Sequence, residues 1–297
     1  MVQKVKESEP LVSIVVPCYN QSHFLDDALE SVLNQSYTNW ECIIVNDGSP
    51  DDTVIIAQYW VKTDLRFKYV ERENGGLSRA RNTGIRFSEG TLILPLDADD
   101  ILHKDYLSIL VPVLIQNDNL AIVSCNTGFF TTNPNEVYFK LQPKGSEIKN
   151  LLYQNQLIAT SLFKKTSWEC VGGYDESMKS GFEDWEFWLR VLKVERKTYQ
   201  IIPEILFYYR KSEESMLMDT VANYQEVIKK YIIQKHPELY IEDFHNFTSV
   251  QFYHLKTARD AEKAIKNSME FKLGRVLLKP FKMLASIVGK NKFSNDA

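Results

Sequence analysis

The sequence predicts an α/β protein: a mostly parallel, Rossmann-like central sheet flanked by helices, with a helical C-terminal extension. From Leu11 to about Ser124, short β-branched runs alternate with segments whose apolar residues recur at helical spacing, the mark of βα units around a buried sheet. Residues 216–235 and 240–290 keep a helical period throughout, with breaks expected at Pro237 and Pro280. The 297 residues are 44% hydrophobic and 25% charged, with only twelve Gly and ten Pro, so the chain buries a large core and is poor in linkers. Because single cores stop growing near roughly 250–300 residues, one large domain with a smaller helical appendage is expected. Its boundaries fall at 1–212 and 213–297, and the first part divides into halves of about 11–125 and 126–212.

Each element has its own signal. LVSIVV (Leu11 to Val16) reads as the first buried strand, and Phe24, Leu25, Ala28, Leu29, Val32 and Leu33 form one apolar helix face. ECIIVN is the second strand. After it, Ser49 is a candidate cap for a helix with Pro50 first and Asp51 and Asp52 in its opening turn, running to about Lys62. FKYVE is the third strand, LSRARNTGIRFS the third helix, and TLILPL the fourth strand, which ends in Asp97, Ala98, Asp99 and Asp100. A further helix and the strand LAIVSC complete this half. Beyond Asn126 strands are expected near 136–141, 158–164 and 198–209, with a helix from about Asp184 to Val194.

Composition excludes several function classes. Thirty-five Lys plus Arg against 39 Asp plus Glu give a formal charge of -4, which argues against a nucleic-acid partner. Cys18, Cys42, Cys125 and Cys170 are far apart, without C-x-x-C or zinc spacing, so buried free thiols in a reducing compartment are expected. MVQKVKESEP lacks a hydrophobic signal core, and no apolar run approaches the roughly 20 residues of a spanning helix. The chain is therefore expected to be cytoplasmic. Residues 253–297 hold ten basic and four acidic residues, a net +6, leaving -10 on residues 1–252. In FKLGRVLLKPFKMLASIVGKNKF basic and apolar residues interleave, a composition suited to the surface of an anionic membrane, here the inner face of the cell membrane. A helix packed on the main domain with a solvated basic face fits the same composition.

Ligands of open α/β sheets bind outside the carboxyl ends of the strands, so the polar residues there are the candidates for chemistry. The first strand delivers Pro17, Cys18, Tyr19 and Asn20; the second Asp47, Gly48 and Ser49; the fourth Asp97, Ala98 and Asp99. Neither G-x-x-x-x-G-K-[ST] nor G-x-G-x-x-G follows any strand, which weakens P-loop and dinucleotide readings. Carboxylates cannot themselves hold a phosphate. A hard divalent cation, Mg²⁺ or Mn²⁺, resolves the repulsion by binding one or two carboxylates and leaving its other positions to water and phosphates. Asp97 and Asp99, one small residue apart, suit it; Asp100 reads better as a cap for the helix near Asp105. Asp47 suits a base N–H or a ribose hydroxyl, and Tyr19 a stacked base, although an Asp-Gly turn and a rim tyrosine are equally ordinary. In GFEDWEFWLR, Glu183 and Asp184 open a helix whose Trp188, Leu189, Val191 and Leu192 face inward. Such a carboxylate can take a proton from an acceptor hydroxyl or simply complement the helix dipole, and spacing alone does not decide.

Taken together, VSIVVPCYN, LESVLNQSY, ECIIVNDGSPDDT, NGGLSRARNTGI, LPLDADD, VGGYDE and GFEDWEFWLR resemble, in order and spacing, family 2 of the inverting glycosyltransferases with the GT-A fold. The resemblance covers roughly Leu11 to Arg210. It implies that Pro17, Tyr19, Asn20 and Asp47 hold the nucleotide, with Asp47 facing a uracil N–H. Asp97 and Ala98 would contact the ribose or metal shell, Asp99 would ligate Mn²⁺ or Mg²⁺, and Asp184 beside Glu183 would be the general base. Arg81 would lie near the donor, or else form a helix-surface ion pair. The implied reaction moves one sugar, with inversion, from a UDP-sugar to a glycan or polyprenyl-linked acceptor in surface polysaccharide synthesis. The sequence departs from the family at Lys104, where a proline often stands, and at Ser212, where a histidine often lies near the diphosphate. The Q-x-x-R-W motif of processive synthases is absent. A nucleotide-sugar-binding protein without turnover is the alternative; a hydrolase is weaker, since it needs carboxyls roughly 5–9.5 Å apart across the sugar.

Overall fold

The structure, a computed structural model, describes residues 9–212 and 219–290, with side chains described as far as residue 279. The polar N-terminus, the start of the helical stretch expected from residue 216 and the end of the basic tail lie outside the described residues. The chain divides into two compact units, residues 1–236 and 237–297. The helix Gln225–Lys235 thus falls in the first unit, beyond the boundary expected at 212.

In the first unit β1 (Val12–Cys18), β2 (Trp40–Asn46), β3 (Phe67–Glu71) and β4 (Leu92–Pro95) pair in parallel in the order β3-β2-β1-β4. β1 and β2 are buried along their whole length because helices cover both faces, which is why they read as unbroken apolar runs. Helix α1 (Ser22–Leu33) buries Leu25, Ala28, Leu29 and Val32, the expected face. Helix α2 (Thr53–Thr63) begins later than expected, and Ser49 does not cap it. The Ser49 hydroxyl instead donates to the Cys18 carbonyl and accepts the Asn20 N–H, while Asp51 accepts the N–H groups of Ser22 and Thr53 and thereby ties the starts of α1 and α2 together. Helix α3 (Leu77–Phe87) lies against β1, and Gly84 is needed there because a Cβ would come within 2.3 Å of Val15.

Beyond β4 the sheet becomes mixed. A two-residue strand, β5 (Ile101–Leu102), and helix α4 (Tyr106–Gln116) lead into the long β6 (Leu120–Phe130). β6 does not pair with β4. β8 (Leu162–Lys164) inserts between them, antiparallel to both, and β6 then runs parallel to β9 (Thr198–Arg210), with β5 on the far edge. β7 (Phe139–Leu141) pairs with the outer half of β6. Helix α5 (Lys165–Val171), absent from the sequence reading, packs on α6 (Glu183–Glu195), which buries Trp188, Leu189, Val191 and Leu192 as expected. A π-helical turn, Thr220–Tyr224, leads into α7 (Gln225–Lys235).

Three of the cysteines are buried as expected, but Cys170 is exposed, because it lies on the solvent side of short α5. The second unit comprises α8 (Pro237–Glu242), α9 (Phe244–Asn267) and α10 (Met269–Lys290). Pro237 opens α8, where its missing N–H costs nothing. The break expected at Pro280 does not occur: the backbone of α10 stays helical through it. Helix α9 buries none of its residues, and Phe252, Tyr253, Leu255, Leu273, Val276, Leu277 and Leu278 are exposed. Among the described residues no helix is long and apolar enough to cross a membrane.

Candidate active site

The carboxyl ends of β1, β2 and β4 and the start of α6 open onto one cleft of about 680 Å³ in the first unit. Pro17, Tyr19, Asp47, Arg81, Asp97, Ala98, Asp99, Glu183 and Asp184 all line it. Of the residues singled out in the sequence, Asn20 stands outside the lining: it takes a left-handed conformation, φ 56°, and donates its N–H to Ser49. Tyr19 is 52% exposed at the mouth, presenting a free aromatic face.

Asp47 follows β2 directly, and its carboxylate is buried. It accepts the N–H of Gly75 at 3.1 Å and of Gly76 at 2.8 Å and pairs with the Arg72 guanidinium. Asp47 therefore holds the loop between β3 and α3 closed over the end of the sheet. Gly48 permits the approach: its φ is 73°, and a Cβ would sit 2.8 Å from the Asn74 nitrogen. Sequence reasoning did not foresee Arg72, since nothing in ERENGG distinguishes a buried partner from a solvated one.

Arg81 is buried, which corrects the helix-surface pair allowed above: its Nη2 donates to Asp97 Oδ1 at 2.7 Å and its Nη1 to Glu183 Oε1 at 2.5 Å. Burial works against the guanidinium charge, but the Asp97 and Glu183 carboxylates override it and hold the group protonated. One cation thus spans the end of β4 and the start of α6 and consumes Glu183 in doing so. Asp97 meets Arg81 through Oδ1, lines the cleft and keeps 30% of its side chain exposed.

Asp99 faces the same space. Burial, followed by the nearby charge of Asp97, pushes its carboxyl up to about 6. Asp100 does not cap the helix near Asp105 as expected; it lies in the cleft lining and accepts the backbone N–H of Arg210 at 2.9 Å. The Arg210 side chain donates to the Asp99 carbonyl at 2.9 Å and to Asp27 at 2.7 Å, so the end of β9 fixes the acidic turn from behind. The strand-end rule that found Asp97 also applies to Arg210 at the end of LFYYR. Among the described residues no group of three His, Cys, Asp or Glu is placed to hold a metal. Asp97 and Asp99 form a pair of hard oxygen donors, which suits a cation that completes its shell with water and phosphate.

Asp184 lines the same cleft from the first turn of α6. Phe182 just before it takes φ 58°, an unusual conformation for a bulky side chain and the kind of strain that sets a site residue's direction. Asp184 accepts a hydrogen bond from Asn155 Nδ2 at 2.9 Å. Burial, then the charge of Glu183, raise its carboxyl to about 7, against the pull of Arg81 and the Asn155 hydrogen bond. No local pattern marked Asn155. Ser212 reaches the lining, as do Gln225 and Lys229 of α7.

A family model described as glycosyl transferase family 2 matches residues 13–166. An uncharacterized glycosyltransferase, EpsJ, of Bacillus subtilis is 43% identical over 121 residues, 41% of this chain and 34% of that protein. The chondroitin synthase of Escherichia coli is 30% identical over 196 residues, 62% of this chain and 27% of the synthase. The chain therefore spans about a third and about a quarter of the lengths of these two relatives. Among solved structures, residues 1–349 of S. aureus TarS in complex with UDP-GlcNAc align with a TM-score of 0.57 at 19% identity, over 70% of this chain and 60% of that one. The mannosyltransferase PcManGT of Pyrobaculum calidifontis, in complex with GDP-Man and Mn²⁺, aligns with a TM-score of 0.64 at 18% identity, over 98% of this chain and 89% of that one. At these identities the structural likeness establishes the GT-A fold.

Proposed function

The chain belongs to glycosyl transferase family 2, and from that membership we propose that it is a metal-dependent, inverting glycosyltransferase that moves a single sugar from a nucleotide-sugar to a hydroxyl of a glycan or lipid-linked oligosaccharide. The observation that carries the reading is a single cleft lined both by Asp97 and Asp99, at the end of β4, and by Asp184, in the first turn of α6, whose carboxyl is raised to about 7.

Tyr19 offers a face for the nucleotide base, with Pro17 beside it, and Asp47 with its loop closes the far side. UDP is the favoured nucleotide, since a carboxylate at Asp47 matches a pyrimidine ring N–H once Arg72 yields part of its contact. The oxygens of Asp97 and Asp99 fit Mn²⁺ or Mg²⁺, whose charge would neutralise a departing diphosphate. Arg81 holds Asp97 in place and keeps Glu183 out of the chemistry, which leaves Asp184 as the general base. A carboxyl raised to about 7 is half ionised at neutral pH and basic enough to take the proton of an attacking hydroxyl. Attack from the side opposite the departing diphosphate, in one displacement, inverts the anomeric centre. With Glu183 bound to Arg81, a hydrolase lacks its second free carboxyl on this wall.

The acceptor belongs to surface polysaccharide synthesis in this reading, and the enzyme works peripherally on the cytoplasmic face of the membrane. The exposed apolar residues and the basic charge of α9 and α10 support that placement. The mechanism is tested with UDP-sugars and Mn²⁺, by following release of UDP and transfer. Asp99→Ala and Asp184→Asn are each expected to lower turnover by at least about a hundredfold, within the range for a lost acid–base or electrostatic group. Metal-dependent UDP binding with no turnover toward water or any acceptor would favour the binding-protein alternative; full activity in both variants would overturn the mechanism.

A further inference from the structure

Three paired strands, β7, β6 and β9, contribute residues to the lining of the cleft. Phe129 of β6 lies directly across from Phe139 of β7 and from Tyr209 of β9 in the strand register. Residues two apart share a face, so the next row on the same face is Leu141, Thr127 and Phe207. The rings of the first row touch in sequence, with centroids 5.0 Å apart from Tyr209 to Phe129 and 5.3 Å from Phe129 to Phe139. Tyr209, Phe129, Thr127 and Leu141 line the cleft, whereas Phe139 is 52% exposed beyond its edge. An aromatic row thus runs from inside the cleft out onto β7.

A second observation separates this row from ordinary cross-strand packing. Thr127 is buried, and its Oγ1 meets no hydrogen-bond partner among the described residues, although it stands in the cleft lining. A buried hydroxyl without a partner costs free energy that a polar ligand would recover. Pyranose rings combine the two features this wall offers, an apolar C–H face that packs on aromatic rings and hydroxyls that pair with a lone side-chain group. A hydrocarbon tail would use the rings and leave Thr127 unsatisfied.

We propose that the row formed by Tyr209, Phe129 and Phe139, together with Thr127, is a subsite for the acceptor's saccharide, and that the acceptor carries at least two sugar units. The terminal sugar presents its hydroxyl to Asp184, and the preceding units lie along the aromatic row toward β7. The inference rests on the glycosyltransferase reading and adds to it where the acceptor's sugars bind and how many of them the site holds.

The test uses the full chain with UDP-sugars and Mn²⁺ and scores two activities separately: hydrolysis of the donor, and transfer to an array of mono- to tetrasaccharides of glucose, galactose and their N-acetylamino forms, with undecaprenyl diphosphate as a sugar-free lipid probe. Oligosaccharides are expected to accept better than the matching monosaccharides. In Phe139→Ala, an exposed change that leaves the core intact, and in Phe129→Ala, the acceptor KM is expected to rise about tenfold or more, in the range of a lost stacking contact. Thr127→Val should cost a similar factor, while donor hydrolysis in all three variants stays within about twofold of the parent. Equal use of mono- and oligosaccharides, an unchanged KM in Phe139→Ala, or transfer only to the lipid probe would overturn the proposal. Donor hydrolysis without transfer to any saccharide would overturn it as well. Absence of both hydrolysis and metal-dependent UDP binding would instead strike at the glycosyltransferase reading itself.

Discussion

Asp184 has two jobs that pull against each other. A base must be ionised, yet burial and Glu183 make its charge unfavourable. Its carboxyl is raised in the folded state, so the folded protein holds a proton that the unfolded chain has released between the ordinary value of 3.8 and about 7. Stability is therefore lost as pH rises through that window. Asp184→Asn keeps the acceptor for Asn155 and removes the charge. It is expected to melt higher than the parent at pH 8, by several degrees, and at nearly the same temperature at pH 4, which thermal melts at the two values would show. Parental turnover should meanwhile climb as pH rises through about 7 and level off above it, in a pH–rate profile with a single acid limb. Arg81 shows the other side of the same residue-scale economy: its two partners come from α6 and the end of β4, so one buried guanidinium sets the spacing of the two walls. ARN in the sequence displays neither partner, because both lie far along the chain.

Helices α6 and α7 are joined by a second polar cluster below the cleft. Glu186 of α6 accepts from Arg190 one turn on, and from Lys235 and His236 at the end of α7. Asp175 binds Lys235 and Tyr231 and accepts the N–H of Ser177. Burial opposes the Glu186 charge, but hydrogen bonds from His236 and Arg190 outweigh it and hold the carboxyl down at about 2. Its stabilising contribution is thus complete above the ordinary value of 4.5 and is lost as pH falls toward about 2. Glu186→Gln leaves Arg190 without its anion and Lys235 with Asp175 alone, and should cost about 3–5 kcal/mol, the range for breaking a buried pair from one side. Urea titration at pH 7 measures the loss, and the difference from the parent should shrink as pH falls from 4.5 toward 2. The clamp seats α7, so Gln225 and Lys229 are presented to the cleft by contacts that the helical period of 216–235 does not reveal.

Across the whole chain, charge is divided: residues 1–252 carry -10 and residues 253–297 carry +6. The acidic portion includes the cleft that is proposed to recruit a cation, and the basic portion contains the helices with unburied apolar side chains. Each Lys or Arg near an anionic lipid surface contributes about 1 kcal/mol, and that attraction is screened over a Debye length of about 10 Å at 0.1 M salt. Co-sedimentation with vesicles rich in phosphatidylglycerol should therefore fall with added salt and fall sharply on deletion of residues 271–297, with donor hydrolysis retained. Unchanged sedimentation after the deletion would remove the membrane from the reading.

Sequence alone was sufficient for the βα half and for the acidic strand ends. Those features are local: an apolar run at the period of a buried strand and a carboxylate just past its end need no knowledge of distant residues. The later half was less legible for the same reason. β8 was expected as a strand, yet its place between β4 and β6, the switch to a mixed sheet, and the pairing of Phe129 with Phe139 and Tyr209 depend on which edges remained open once the earlier strands had paired. The capping roles assigned to Ser49 and Asp100 failed because groups distant in the chain, at Cys18 and Arg210, were better partners than the nearest helix. Tertiary structure decided which polar groups met: it spent Glu183 on Arg81, left Asp184 with Asn155, and left Thr127 with no described partner, since in a packed interior each charge and hydroxyl is assigned by proximity in space.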